Sequence, residues 1–265
     1  MEYIKFIERL EGQELQIYNK AICLFFDISK SELLSQKETL MLTRKEQRRI
    51  QKFVKWIYKG KDITMLVGYK HFYNVKIIFS KKVFIPQYDS EGLVDQVLRT
   101  EISGRGLEVG TGSGAIALAI QKSKPEIKML GIDVSSKAID SAKENASINK
   151  IDTDFHTKDI FEWEPAAKFD FIVSNPPYIT KGDSNVTGWV RKNQPSVGLY
   201  TNDDGLKFYK YLIINKDKYI KEGGSLYFEC GFNTWEKLTP FLVSISADYR
   251  FENDLSGFKR YLIVK

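Results

Sequence analysis

The sequence predicts an α/β protein: a mostly parallel, seven-stranded sheet with helices on both faces, preceded by a small helical domain and a β-hairpin linker. Two observations carry this prediction. From about Gly106 onward, short β-branched and aromatic runs alternate with helical patterns, as strands joined by crossover helices do. Before that point, residues 1–60 carry helical periodicity, and residues 65–86 shift to a strand pattern.

Taken in order, Leu15, Tyr18, Ile22 and Phe25 recur at helical spacing in the N-terminal part. Ser29-x-x-Glu32 and Thr43-x-x-Glu46 are candidate capping boxes. The second opens an amphipathic helix whose apolar stripe is Ile50, Phe53, Val54 and Ile57, with Gly60 as the C-cap. Lys45, Arg48, Lys52, Lys55 and Lys59 share another face of it. His71 to Phe79 and Val83 to Ile85, separated by Ser80-Lys-Lys82, predict a hairpin. A helix then runs to Leu98. The domain boundaries so predicted are 1–64 for a helical, substrate-docking domain, 65–86 for the hairpin linker and 87–265 for the α/β domain.

Within the α/β part, Leu107-Glu108-Val109 is the first strand, followed by Gly110-Thr111-Gly112-Ser113-Gly114 and a helix from Ala115 to Gln121. Glycines at every second position suit a turn that a ligand approaches closely. Met129 to Ile132 is the second strand and ends in Asp133, placed to accept both hydroxyls of a ribose in a Rossmann-like nucleotide site. Ser136 to Asn149 is a helix, Asp154 to Lys158 a third strand, and Asp159-Ile160-Phe161 sits at its carboxyl end beside the expected adenine pocket. Asp159 there either accepts from an adenine amine or caps a turn. Gly205 to Tyr219 is helical, Gly224 to Cys230 the fifth strand, Thr234 to Ser244 a helix, and strands near 249–251 and 260–264 close the sheet.

The fourth strand, Asp170-Phe-Ile-Val-Ser-Asn-Pro-Pro-Tyr178, carries the chemistry. Pro176 and Pro177 lack a backbone N–H and end the strand in a stiff loop at the sheet's carboxyl edge, where α/β proteins place their sites. The Asn175 side-chain oxygen and the Pro176 carbonyl can accept both hydrogens of a planar NH2 group, and the Tyr178 ring offers a flat face for it. Such a nitrogen is a poor nucleophile, so orientation, worth roughly 7–11 kcal/mol, outweighs a general base at about 3–5 kcal/mol. The arrangement is that of a methyltransferase acceptor clamp. The Gly-x-Gly-x-Gly spacing suits a donor with no pyrophosphate, S-adenosylmethionine, over a nicotinamide dinucleotide. The ordinary alternative for the clamp is a strand-ending Pro-Pro turn.

Composition narrows the options. The chain has 265 residues, 43% of them hydrophobic, and a net charge of +6. Residues 1–85 hold 17 of the 40 Lys and Arg but 9 of the 34 Asp and Glu, a net of +8, which leaves −2 for the rest. A basic N-terminal part suits docking to an anionic partner such as RNA or an acidic protein, or simply a solvated helix face. Cys23 and Cys230, far apart in sequence, argue against a disulfide framework, and His71 and His156 are scant material for a metal centre, so no metal is expected. No run approaches a membrane span and Met1 to Leu10 carries four charges, so a cytoplasmic protein is expected.

Over nearly its whole length the chain resembles the release factor glutamine N5-methyltransferases, the PrmC/HemK family. The resemblance lies in Gly110-Thr-Gly-Ser-Gly-Ala-Ile116, Asn175-Pro-Pro-Tyr-Ile179, Asp204-Gly-Leu-x-x-Tyr209 and Gly223-Gly-Ser-Leu-x-x-Glu229. It implies a class I methyltransferase fold that moves a methyl group from S-adenosylmethionine, leaving S-adenosylhomocysteine, to the side-chain nitrogen of the glutamine in the Gly-Gly-Gln loop of peptide chain release factors. Glu108, Gly110, Thr111, Gly112, Ser113, Gly114, Asp133, Asp159, Ile160 and Asn175 would then form the donor site. Asn175, Pro176, Pro177 and Tyr178 would hold the glutamine, with Asn175, Pro176 and Tyr178 as the catalytic set. Three places depart from the family pattern: Pro86-Gln87 lacks the usual arginine and second proline, Ile160 stands where an aromatic is usual, and Gln194-Pro195 replaces Glu-Pro. The competing readings are an adenine-N6 methyltransferase of DNA or RNA with a flipped base, a ribosomal-protein glutamine methyltransferase, and a donor-binding adaptor without activity.

Overall fold

The computed structural model describes residues 1–60, 67–78, 83–84, 86–177, 179–180, 200–201 and 205–265. The chain divides into two compact units, Met1–Lys70 and His71–Lys265.

The first unit contains α1 (Tyr3–Ile7), α2 (Gly12–Phe26), α3 (Lys30–Ser35) and α4 (Arg44–Tyr58). Both capping boxes form: Glu32 and Glu46 reach back to the backbone N–H of Ser29 and Thr43, while those hydroxyls accept from the N–H groups of Glu32 and Glu46. The α4 stripe buries Ile50, Phe53 and Val54 in a core with Tyr3, Ala21, Ile22, Leu33 and Leu42. Lys45, Arg48, Lys52, Lys55 and Lys59 are exposed. Lys59 takes the C-cap position expected of Gly60, and Gly60 follows with a φ of 60°.

β1 (Tyr69–Phe72) and β2 (Val75–Ile78) form a two-stranded sheet, so the hairpin turns at Tyr73-Asn74, earlier than the Ser80–Lys82 turn expected from sequence. Tyr73 takes a left-handed φ of 52°, which an aromatic seldom adopts. Neighbouring groups hold the turn: Asn74 donates to Ser123 at 2.8 Å and accepts from Lys122 at 2.7 Å. Val83 and Phe84 lie in no strand, and the rest of 79–85 lies outside the described residues.

The second unit continues with α5 (Asp89–Leu98), β3 (Arg105–Val109), α6 (Ala115–Ser123), β4 (Lys128–Asp133), α7 (Ser136–Asn149), β5 (Asp154–Thr157), β6 (Phe169–Ser174) and the two-residue strands β7 (Ile179–Thr180) and β8 (Tyr200–Thr201). Then come α8 (Lys207–Ile214), α9 (Lys216–Tyr219), β9 (Ile220–Glu229), α10 (Thr234–Ser244), β10 (Tyr249–Asn253) and β11 (Lys259–Val264). The single helix expected over Gly205 to Tyr219 breaks at Asn215, whose side-chain amide donates to the Tyr211 carbonyl at 2.8 Å. Such a side chain competes with the backbone ladder.

Seven strands form one sheet in the order β10-β11-β9-β6-β3-β4-β5. The run β9-β6-β3-β4-β5 is parallel, and β11 and β10 add on antiparallel. The chain builds outward from β3 to β4 and β5, then returns to β6 on the other side. Ligands bind at such a reversal, outside the carboxyl ends of the strands. α6, with seven consecutive buried residues from Ala115 to Gln121, packs against β3 and β4 and supports that edge.

Candidate active site

The turn after β3 is held from below by Glu108. This carboxylate is 2% exposed and accepts from the Thr111 hydroxyl at 2.6 Å and the Ala117 N–H at 3.0 Å. It thereby joins the turn to the first residues of α6. Burial pushes its carboxyl up to about 8, with the hydrogen bonds from Thr111 and Ala117 pulling the other way. From the side, the N–H groups of Gly110 and Thr111 both donate to the Ile132 carbonyl, at 2.9 and 3.0 Å.

The glycines of the turn serve two purposes. Gly110, Gly112 and Gly114 all take left-handed backbone, with φ of 72°, 54° and 79°. A Cβ added at Gly110 or Gly112 would meet nothing within 4 Å, whereas at Gly114 it would press on Ala142 and Phe155 at 3.0 Å. The first two keep the turn open and the third allows close packing of α6. Ser113 is buried and its carbonyl accepts from Asn145 at 2.9 Å.

At the end of β4, Asp133 accepts from the Gly112 N–H at 3.0 Å and the Ser135 N–H at 2.9 Å. Each oxygen keeps a second lone pair for a diol. Burial raises this carboxyl above its ordinary range despite both bonds. Asp159 spends one oxygen on the Phe161 N–H at 2.9 Å and is half-buried, so it caps its own turn. Ile160 is 2% exposed and sits in the core cluster with Val109 and Ile132.

β6 delivers the clamp beside this turn. Ser174 stands in register with Val109, and its hydroxyl donates to the Val109 carbonyl at 2.7 Å. The residues that follow, Asn175 and Gly110, therefore leave adjacent strands at the same level. Asn175 and Pro177 are half-buried and Pro176 is buried. The Asn175 side-chain nitrogen donates to Ser90 at 3.1 Å, and Ser90 donates to Glu229 at 2.6 Å. Tyr178, Gln194, Pro195 and Asp204 lie outside the described residues. Gln87 precedes α5, where its carbonyl accepts from the Ser90 N–H at 3.2 Å. Among the described residues no group of three His, Cys, Asp or Glu could hold a metal ion.

The donor set fits S-adenosylmethionine on this structure: two glycines open toward the ligand side of the turn, and a carboxylate with free lone pairs stands beside them. The sequence matches the methyltransferase small domain family over residues 71–191. It is also 34% identical to the release factor glutamine methyltransferase of Thermodesulfovibrio yellowstonii, across 96% of this chain and 91% of that protein. The chain belongs to the release factor glutamine methyltransferase family. The family member from Aliivibrio fischeri is 32% identical across 95% of this chain and 90% of its own. In fold, this methyltransferase is similar to the hMettl16 catalytic domain crystallised with an RNA hairpin of the MAT2A 3'UTR, with a TM-score of 0.58 at 14% identity over 97% of this chain and 92% of that one.

Three residues of the candidate site escaped the sequence reading in their roles: Ser90, Ser174 and Glu229. Glu229 was visible only as the end of Gly223-Gly-Ser-Leu-x-x-Glu229. Tyr209, the end of the other family stretch, donates to the Glu229 carbonyl at 2.7 Å, so these two stretches meet in space. A buried acid at a strand's carboxyl end was the available signal.

Proposed function

We propose that this methyltransferase modifies the side-chain amide nitrogen, N5, of the glutamine in the Gly-Gly-Gln motif of peptide chain release factors. The observation that carries the reading is the adjacency of Asn175 and Gly110 at the ends of β6 and β3, tied by the bond from Ser174 to Val109. When bound, S-adenosylmethionine supplies an electrophilic methyl group on a sulfonium sulfur.

The chain's own residues provide alignment. Gly110 and Gly112 let the backbone approach the donor, and Asp133 accepts from its ribose. Asn175 and the Pro176 carbonyl accept the two N–H groups of the glutamine amide, fixing its plane. Positive charge develops on that nitrogen as the new bond forms, two acceptors aimed at its hydrogens stabilise it, and one of those hydrogens leaves to water as a proton once the methyl is in place. Pro177 limits the loop's freedom before binding, so little entropy is left to lose. Residues 1–64 are read as the docking domain for the release factor, in the cytoplasm where translation ends. The exposed basic face of α4 is where an RNA or ribosome contact would fall.

The test is incubation with methyl-labelled S-adenosylmethionine and, separately, a release factor, its Gln-to-Ala variant in the Gly-Gly-Gln loop, and bulk nucleic acid. Label on the release factor, lost in the variant, supports the reading. Label on nucleic acid amines overturns it in favour of base methylation.

A further inference from the structure

The hydroxyl of Ser90 stands between side chains at the carboxyl ends of two neighbouring strands, β9 and β6. It donates to Oε2 of Glu229 at 2.6 Å, and it accepts from Nδ2 of Asn175 at 3.1 Å. A serine hydroxyl has one proton and two lone pairs. With the proton committed to a carboxylate, only lone pairs face Asn175, so the carboxamide atom beside them must be the nitrogen. Ser90 is 1% and Glu229 3% exposed, and burying a hydroxyl and an acid together is costly unless their bonds are made.

We propose that Glu229, acting through Ser90, is a positioning residue for methyl transfer: it holds the Asn175 carboxamide with its nitrogen inward and its oxygen toward the acceptor amide. The proposal rests on the reading of Asn175 as the acceptor clamp. In the opposite orientation Asn175 would present an NH2 group to an NH2 group, and the Pro176 carbonyl alone would be left to hold the acceptor amide.

The relay depends on charge. An ionised Glu229 can only accept, so it orders Ser90 and then Asn175. A protonated Glu229 can donate to Ser90, which frees the serine proton to point at Asn175 and removes the preference between the two amide orientations. Burial pushes this carboxyl up to about 7; hydrogen bonds from Ser90 and from the Asn175 side chain itself, with the Arg260 charge, lower it, and the Asp89 charge raises it. The groups around it are Asp89 and Ser90 on α5, Arg260 and Tyr261 on β11, Cys230 just after it and Tyr209 on α8. Arg260 also bridges Asp254 at 3.3 Å and Asp89 at 3.6 Å, so its charge is shared.

The test uses the full chain with a release factor as acceptor, and nitrogen-15 spectra of the Asn175 side-chain NH2, assigned by their loss in Asn175→Ala. In the wild type these signals and kcat/KM shift together, with activity rising as pH passes about 7. Glu229→Gln, whose NH2 can donate to Ser90 as the protonated acid does, holds kcat near the low-pH value of the wild type and loses the pH response of both. Glu229→Leu and Ser90→Ala lower kcat by about 10- to 100-fold, with donor affinity by calorimetry within about twofold of wild type. Neither change lowers kcat further in the Asn175→Ala background. If Glu229→Leu fails to fold, Ser90→Ala and the spectra still decide. Asn175 signals indifferent to Glu229, or equal losses with and without Asn175, overturn the proposal. Transfer by the wild type to nucleic acid in place of the release factor overturns the substrate reading, and the relay is then judged by the same variants on that acceptor. If the wild type transfers to neither, the Asn175 spectra decide: signals that follow Glu229 support the relay, and signals indifferent to it overturn it.

Discussion

Ser174 donates its hydroxyl proton to the carbonyl of Val109 at 2.7 Å, binding the last residue of β6 to the last residue of β3 in a fully buried position. The glycine turn and the Asn175 loop leave the sheet from these two residues. Ser174→Ala strands a buried acceptor and should cost about 1–3 kcal/mol. The expected result is a lower melting temperature, by roughly 2–4 °C per kcal/mol for a unit of this size, measured by calorimetry.

Asp133→Ala removes the acceptor of the Gly112 and Ser135 N–H groups and the partner proposed for the ribose. Hydrogen bonds to a charged group are worth about 1.5–3 kcal/mol each, so donor affinity should fall by about 10- to 100-fold. Titration calorimetry with S-adenosylmethionine measures this, and single-turnover rates at saturating donor should change far less.

Gly112→Ala and Gly114→Ala should fail in different ways. Both force a left-handed residue, at about 1–2 kcal/mol. At Gly112 the new methyl enters open space where the donor would lie, so affinity falls and the fold survives. At Gly114 it meets Ala142 and Phe155 at 3.0 Å, so stability falls as well. Urea midpoints beside donor titrations separate the two.

The buried Glu108 predicts a pH slope in stability. Its folded-state value of about 8 lies above the ordinary 4.5, so the folded chain holds the proton more tightly. Its contribution is full below the unfolded value and lost as pH rises through the folded one. Glu108→Gln should flatten the decline in urea midpoint across that window. The part that Glu229 contributes, up to about 7, should remain.

Much of this was legible in the sequence because local signals and tertiary roles coincide. Gly110, Gly112 and Gly114 mark a turn whatever packs around them, and α7 and α10 span the expected Ser136–Asn149 and Thr234–Ser244. The hairpin turn was hidden because Tyr73-Asn74 contains no glycine and sits inside a continuous β-like run. The break at Asn215 was hidden because it depends on a side chain competing with its own helix. Ser90 and Glu229 are 139 residues apart and meet only because α5 packs against β9, which no local pattern states.

In the proposed mechanism Asn175 chiefly aligns the acceptor amide and adds little to the hold on the donor, and Asn175→Ala tests this most directly. Donor affinity by calorimetry and the single-turnover rate of transfer to a release factor are measured on the same protein. The expected result is a rate lower by about 10²- to 10³-fold with affinity within about threefold of wild type. A rate near that of the wild type, or a loss of donor affinity as large as the loss of rate, would contradict it.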